Sequence, residues 1–155
     1  MTPKQHGQSF DAEVERKVRE SFVRQGFMRH LGASLVSIAH GSCEISVPFR
    51  AEMSQQHGYF HAGVSAAIAD SACGYAAYTL TPRESTVLTV EFKLSLLSPA
   101  RGEYLLAKAR VIRPGRTLSV CAADVFVKQG GIEKLCATSL TTIMNVQGHT
   151  EVDSP

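Results

Sequence analysis

The chain has 155 residues, of which 44% are hydrophobic and 19% are charged, so it is long enough for one domain with a substantial core. Its formal net charge of +2 is too small to indicate nucleic-acid binding. There are four cysteines: Cys43, Cys73, Cys121 and Cys136. They are widely spaced among apolar neighbours, and no two of them form a C-x-x-C pair. They are predicted to be buried thiols of a cytoplasmic protein, with two disulfides in a secreted protein as the alternative.

The first segment, residues 1–8, is polar, lacks the features of a signal peptide and is predicted to be disordered. A helix is predicted over residues 10–27, because apolar side chains recur there every four residues with charged residues between them. These side chains are Phe10, Val14, Val18 and Phe22. Ser9 or Asp11 could cap the start of this helix.

Two strands are predicted next, over residues 35–39 and 43–49, followed by a loop that contains Gly58. The loop leads into a predicted helix over residues 61–80, which is built mainly from Ala, Ser, Cys and Gly. Its apolar stretch contains Asp70, and most of its side chains are very small. That composition is typical of a buried helix wrapped by a sheet and not of a membrane span.

The second half of the chain changes to a period of two, which is typical of strands with one apolar face. Apolar and polar side chains alternate in residues 87–97. The apolar ones are Leu88, Val90, Phe92, Leu94 and Leu96, and the polar ones between them are Thr89, Glu91, Lys93 and Ser95. Three more strands are predicted over residues 103–113, 118–128 and 132–146, separated by turn signals such as Pro114-Gly115. The four strands are expected to follow one another as hairpins.

This order of elements lacks the strand–helix–strand alternation of a doubly wound sheet. It predicts an α+β fold in which a curved antiparallel sheet wraps around one long central helix. The domain is expected to span residues 9–147, and residues 148–155 are expected to form a polar tail.

The start of the central helix carries the residues that point to a chemistry. A helix N-terminus presents unpaired backbone N–H groups and a partial positive charge. These groups suit an oxygen that becomes negative during acyl transfer. A carboxylate within the same helix, Asp70, could attack a carbonyl or activate water to do so.

A motif around this helix start resembles the signature of hotdog-fold acyl-CoA thioesterases of the phenylacetate-pathway, or PaaI-like, type. The motif reads Gln55-x-x-Gly58-x-x-His61-Ala62-Gly63, followed by Asp70. The family pattern has Asn or Gln, then x-x-Gly-x-x-His-Gly-Gly, with an acid seven residues after the last Gly. The following strand and its end, Leu97-Ser98-Pro99-Ala100, are also similar, and the element order matches over residues 30–147.

The resemblance implies a role for each matching residue. Asp70 corresponds to the catalytic carboxylate, and the backbone N–H of Ala62 corresponds to the donor to the thioester carbonyl. Gln55 corresponds to the residue that positions water or the thioester, and Thr89 to the hydroxyl that assists from the next strand. His61 is interpreted as a residue that orients the loop. The family prefers Gly where this chain has Ala62, whose methyl group crowds the thioester.

Substrate contacts are predicted at three places. Gly63 provides backbone geometry at the helix start, and Tyr59, Phe60 and Tyr75 could line a pocket for an aromatic or a fatty acyl group.

Arginine binds phosphates well, and coenzyme A carries phosphates. The resemblance implies a nucleotide contact at the Pro114-Gly115 turn, which is flanked by Arg110, Arg113 and Arg116, with Lys108 and Lys128 expected nearby. A hairpin tip with solvated charges is the alternative.

Spacing along the central helix predicts a site shared between chains. Ala62 and Asp70 are eight residues apart, so they lie roughly 12 Å apart along one helix and cannot both reach one carbonyl. A second chain with an antiparallel central helix could supply the missing group. A homodimer with shared sites is therefore expected, and the resemblance implies a homotetramer.

The predicted function is that of a cytoplasmic acyl-CoA thioesterase, with no membrane or nucleic-acid partner. No metal or other cofactor is expected, since coenzyme A enters as part of the substrate. Two alternatives stay open. One is a hotdog dehydratase or hydratase of hydroxyacyl thioesters that uses His61 with Asp70, and the other is a non-catalytic acyl-CoA-binding domain.

Overall fold

A computed structural model describes residues 11–148 of the chain. The predictions for residues 1–8, for Ser9 and Phe10, and for nearly all of the polar tail lie outside the described residues. The elements are α1 (Ala12–Arg24), α2 (Gly26–Leu31), β1 (Ser34–Ala39), β2 (Ser42–Pro48), a 3-10 turn (Ala51–Met53), α3 (Ala62–Tyr78), β3 (Ser85–Leu96), β4 (Tyr104–Arg113), β5 (Leu118–Gln129) and β6 (Ile132–Gln147).

The strands form one six-stranded antiparallel sheet in the order β1-β2-β4-β5-β6-β3. Helix α3 packs across one face of this sheet, against β2 through β6. Its small side chains, such as Ala72, Cys73 and Ala76, are fully buried, which lets the backbones of helix and sheet approach closely. This confirms the predicted α+β hotdog architecture. Within residues 11–148 no helix is both long and apolar enough to span a membrane.

The predicted hairpin between β3 and β4 is wrong. Strand β3 lies at the sheet edge beside β6, whereas β4 lies between β2 and β5. The connection between β3 and β4 therefore crosses the sheet. Backbone hydrogen bonds hold it against the segments that precede α3: the Phe60 N–H donates to the Ala100 carbonyl at 2.9 Å, and the Phe49 N–H donates to the Glu103 carbonyl at 2.7 Å.

A bulge in β3 changes which side chains face α3. The register shifts just after Thr89, so Thr89 pairs with Ile143 and Phe92 pairs with Thr141. Ile143 and Thr141 are both buried, which places Thr89 and Phe92 on the helix side although they are three residues apart. The prediction of one continuous apolar face that includes Leu88 is therefore wrong, because Leu88 lies on the other side from Thr89.

The predicted N-terminal helix is two helices. Helix α1 ends at Arg24, Gln25 has an extended backbone with ψ of 101°, and α2 begins at Gly26. The cap prediction is confirmed for Asp11, whose carboxylate accepts a hydrogen bond from the Glu13 N–H at 2.9 Å. The break at Gln25 turns its side chain toward α3.

The buried-thiol prediction is confirmed, because all four cysteines are buried and free. Burial raises the pKa of Cys73 to about 12 and the pKa of Cys121 and Cys136 to about 11. Thiols in such surroundings stay protonated and unreactive at neutral pH.

Candidate active site

The acid of α3 lies beside the hydroxyl that the sequence predicts as its partner. Thr89 Oγ1 donates a hydrogen bond to Asp70 Oδ1 at 2.7 Å, a contact that the β3 bulge makes possible. Burial raises the pKa of Asp70, and the Thr89 hydrogen bond opposes that rise. The two side chains line a cavity of about 120 Å³, which we call the Asp70 cavity. A carboxylate held in this way can accept a proton from water.

The start of α3 leaves one backbone donor unused. His61 caps the helix, because its Nδ1 accepts a hydrogen bond from the Gly63 N–H at 2.9 Å, while the Val64 N–H donates to the His61 carbonyl at 3.0 Å. The Ala62 N–H makes no hydrogen bond to another residue within 11–148. Ala62 is therefore the donor that this helix end can offer to a ligand.

Gly63 fits the cap for a steric reason. A Cβ at this position would lie 3.0 Å from His61 Nδ1, so a larger residue would push the imidazole ring away from the N–H that it caps. This geometry agrees with the interpretation of His61 as an orienting residue. It also explains the backbone role predicted for Gly63.

Gln55 lies in a tight turn that orients its amide. The Gly58 N–H donates to the Gln55 carbonyl at 3.0 Å, the Gln55 N–H donates to the Tyr59 carbonyl at 2.9 Å, and Gly58 has a φ of +78° that favours glycine. The His57 N–H donates to Gln55 Oε1. With this oxygen engaged, the side-chain NH₂ of Gln55 is left as a donor.

A second cavity, which we call the Ala62 cavity, has a volume of about 470 Å³. It is lined by Gln55, Tyr59, Phe60, Ala62, Ser65, Leu96, Leu97, Ser98, Pro99, Ala100 and Cys136. Tyr75 lies instead in the wall of the Asp70 cavity. One chain thus divides the predicted site residues into two groups, as expected if each group meets its complement on a second chain.

The predicted nucleotide contacts lie apart from both cavities. Arg113 ends β4, and Arg116 lies in the turn before β5, where both side chains are exposed. The turn is held by Asn145, whose Nδ2 donates to the carbonyls of Gly115 at 2.9 Å and Arg116 at 3.2 Å. A Cβ on Gly115 would lie 2.1 Å from the Leu118 carbonyl oxygen, so the turn requires glycine.

The other basic residues predicted in this region have acidic partners. Lys108 and Lys128 both pair with Glu133, at 2.7 and 2.8 Å. The prediction that Lys128 lies near the turn is wrong, because Lys128 pairs with Tyr104 at the opposite end of β4 from Arg113. Arg110 lies 3.6 Å from the carboxylate of Asp124.

Four polar residues of the Asp70 cavity were not predicted: Ser21, Gln25, Ser71 and Tyr78. Ser21 and Gln25 come from the α1–α2 region, which the sequence pattern presents as one amphipathic helix. Gly26 is the available signal, since glycine is common where a helix ends. It marks the break that brings Gln25 into the cavity.

Comparison with known proteins identifies the family. The family model described as Thioesterase superfamily matches residues 57–134. A thioesterase family protein of known structure from Silicibacter pomeroyi is 44% identical, with a TM-score of 0.86 over 87% of this chain and 99% of that chain. Human acyl-coenzyme A thioesterase 13 is 29% identical over 69% of this chain and 77% of its own.

The E. coli PaaI protein from the phenylacetic acid degradation operon has the same fold, with 19% identity and a TM-score of 0.80 over 90% of this chain and 98% of that chain. These matches confirm the family resemblance drawn from the motif around Asp70. The chain belongs to the thioesterase superfamily. It is a thioester hydrolase with the hotdog fold.

Proposed function

We propose that this hydrolase cleaves acyl-CoA thioesters to a free acid and coenzyme A, at sites that two chains build together. The observation that carries the proposal is the division of the site: Asp70 with Thr89 in one cavity, and Ala62 with Gln55 in another. The likeness to an acyl-coenzyme A thioesterase supports coenzyme A as the thiol. The buried free thiols support a reducing compartment such as the cytoplasm.

Exposed apolar side chains support the pairing of chains. Strand β3 is a sheet edge, and its helix-side residues Phe92 and Leu96 are 47% and 60% exposed. A second chain added along this edge would cover them and continue the sheet. On the other face, Leu88 and Leu140 are 56% and 53% exposed, which supports further packing of two dimers into a homotetramer.

The chemistry follows from these groups. The carbonyl oxygen of the thioester accepts hydrogen bonds from the Ala62 N–H and the Gln55 amide of one chain, next to the positive end of α3. The partner subunit's Asp70 takes a proton from water as the water attacks the carbonyl carbon. The carbon–sulfur bond then breaks, and the thiolate takes up the proton. Direct attack by Asp70, followed by hydrolysis of the anhydride, gives the same products.

The aromatic residues predicted to contact the acyl group fall into both cavities. Tyr59 and Phe60 line the Ala62 cavity, and Phe60 packs edge-on against Phe49 with ring centroids 5.0 Å apart. Tyr75 lines the Asp70 cavity. The walls of the larger Ala62 cavity are compatible with an aromatic or an aliphatic acyl group.

The proposed function is tested by measuring thiol release from coenzyme A esters of aryl, short and long acyl groups. Free thiol and free acid are expected. An enoyl thioester as product would favour the dehydratase or hydratase alternative, and binding without turnover would favour an acyl-CoA-binding domain. The cap role of His61 supports hydrolysis: a ring whose Nδ1 accepts from the Gly63 N–H carries its proton on Nε2, so neither nitrogen has a free lone pair with which to take a proton from a substrate.

We expect Thr89→Ala and Gln55→Ala each to lower turnover less than Asp70→Ala does, because these groups position the reactants. The pH profile separates the two variants. Thr89 donates the hydrogen bond that lowers the pKa of Asp70, so its loss raises that pKa and moves the acidic limb of the rate profile to higher pH. Gln55→Ala should leave the limb in place, and Thr89→Ser should restore it. An unmoved limb in Thr89→Ala would contradict the role assigned to Thr89.

We expect Arg113→Ala or Arg116→Ala to raise KM for coenzyme A esters more than it changes kcat, because a remote phosphate contact binds ground and transition states alike. Arg110→Ala is the matched control, since Arg110 faces Asp124. The same assay with a truncated pantetheine thioester should show little effect of either variant. Equal impairment on the truncated substrate would mean that neither arginine contacts the nucleotide.

A further inference from the structure

The walls of the Asp70 cavity are largely polar. Besides Asp70 and Thr89, hydrogen-bonding groups reach it from α1, from the α1–α2 junction and from α3. Ser71 Oγ donates to Gln25 Oε1 at 3.4 Å, and the hydroxyls of Ser21 and Tyr75 lie 3.2 Å apart. A cavity meant for a plain alkyl chain would be lined mainly by apolar side chains.

The backbone break at Gln25 directs its side chain into this cavity. Gln25 stands in the N-cap position of α2, but its side chain makes no capping hydrogen bond there. Its oxygen instead accepts from Ser71 on α3. Its amide NH₂ makes no hydrogen bond to another residue in the described part of the chain, so it remains a donor for a ligand.

The size and charge of the cavity limit what can enter. Its volume of about 120 Å³ is smaller than the roughly 150 Å³ of a protein cavity that holds benzene. Tyr75 and Tyr78 form part of its wall, and both are buried, with Lys17 Nζ lying 3.8 Å from the centre of the Tyr78 ring. The carboxylate of Asp70 would repel an anionic acyl group.

We propose that the Asp70 cavity receives the end of a short, uncharged acyl group that carries an ether, carbonyl or hydroxyl oxygen, and that the Gln25 amide donates a hydrogen bond to this oxygen. The proposal rests on the proposed function, because it places the acyl group beyond Asp70. It makes Gln25 a specificity-determining residue. Ser71 is a positioning residue that holds the amide oxygen and so directs the NH₂ group.

The test compares two substrates of equal length, pentanoyl-CoA and 3-methoxypropanoyl-CoA, in which one methylene is replaced by an ether oxygen. The measured quantity is the ratio of kcat/KM for the ether to kcat/KM for the alkyl ester in each enzyme. The intrinsic reactivity of the ether cancels when this ratio is compared between variants. A general loss of activity cancels as well.

We expect Gln25→Met to lower the ether-to-alkyl ratio about fivefold, the scale of one neutral hydrogen bond. Methionine keeps the length of the side chain and removes the donor. Gln129→Met is the matched control, because Gln129 is exposed at the end of β5, and it should leave the ratio unchanged. Ser71→Ala should lower the ratio in the same direction by less, and it serves as the test if Gln25→Met does not fold.

The outcomes separate this inference from the proposed function. Hydrolysis of both esters with a ratio unchanged in Gln25→Met and in Ser71→Ala overturns the inference and leaves the thioesterase assignment standing. Preference of the wild-type enzyme for phenylacetyl-CoA or octanoyl-CoA over pentanoyl-CoA also overturns it, because those groups exceed the cavity. Hydrolysis of no coenzyme A ester overturns the proposed function, and the inference with it.

Discussion

Asp70→Asn should lower the turnover of this thioesterase at least about a hundredfold, the scale expected for loss of a positioned base or nucleophile. Asparagine keeps an oxygen that can accept the hydrogen bond from Thr89, so the local packing should persist. It can neither take a proton from water nor attack the thioester. The measurement is thiol release by the purified variant under saturating substrate, with circular dichroism as the check on the fold.

The same variant should not be less stable than the wild type. Burial raises the pKa of Asp70, so the folded protein binds this proton more tightly than the unfolded chain does. Stability therefore falls as pH rises from the ordinary pKa of an aspartate through the raised pKa of the folded state. The neutral amide of the Asp70→Asn variant removes this cost, so its Tm at pH 7 should equal or exceed that of the wild type, and the difference should shrink in acid.

These two measurements distinguish the catalytic role from a structural one. Near-wild-type thiol release would contradict the assignment of Asp70. A clearly lowered Tm would indicate instead that the carboxylate is part of the structural core. A loss of rate without a loss of stability is expected when a buried carboxylate is kept for catalysis although it lowers the stability of the protein.

The fold was predictable from sequence because its local signals agree with its tertiary structure. The alternation of β4 to β6 and the small residues of α3 each fit the burial that the sheet imposes. Ala62 and Asp70 both lie on α3, so their separation follows once the helix is identified. The division of the site between two cavities is a consequence of that spacing.

The features that could not be predicted depend on contacts between distant segments. The placement of β3 at the edge beside β6 is fixed by long-range pairing. The alternation of apolar and polar residues along β3 would be the same if β3 formed a hairpin with β4, so the sequence pattern does not distinguish the two arrangements. No local sequence signal marks the bulge after Thr89. The side chain of Thr89, which the sequence places on the polar face of the strand, nevertheless points toward Asp70. The resemblance identified Thr89, but only the pairing of β3 shows how it reaches the acid.

Gln25 illustrates the same limit within a helix. Apart from Gly26, the residues around it favour helix, and Val18 and Phe22 face the core as the pattern predicts. Gly26 marks the position of the break, but its chemical consequence depends on Ser71, which lies 46 residues further along the chain. A single-helix pattern contains no information about that contact.

Two inactive variants, Asp70→Ala and Ala62→Pro, should regain activity when mixed if each site is built from two chains. Proline removes the donor N–H at the first position of α3, where proline is well tolerated. The preceding residue, His61, already has an extended backbone with ψ of 139°, as a residue before proline prefers. We therefore expect Ala62→Pro to fold and to lack only the donor to the thioester.

If the site is shared, a mixed dimer brings the Ala62 N–H of the Asp70→Ala chain to the Asp70 of the Ala62→Pro chain, and one of its two sites is intact. Random exchange makes about half of the dimers mixed, so recovery should reach roughly a quarter of wild-type activity. The measurement is thiol release after equal amounts of the variants have exchanged subunits, with each variant alone as the control. Mass spectrometry of differently tagged chains reports the exchange itself. Complete exchange without recovered activity would show that each chain builds its own site, since no mixed dimer could then gain one.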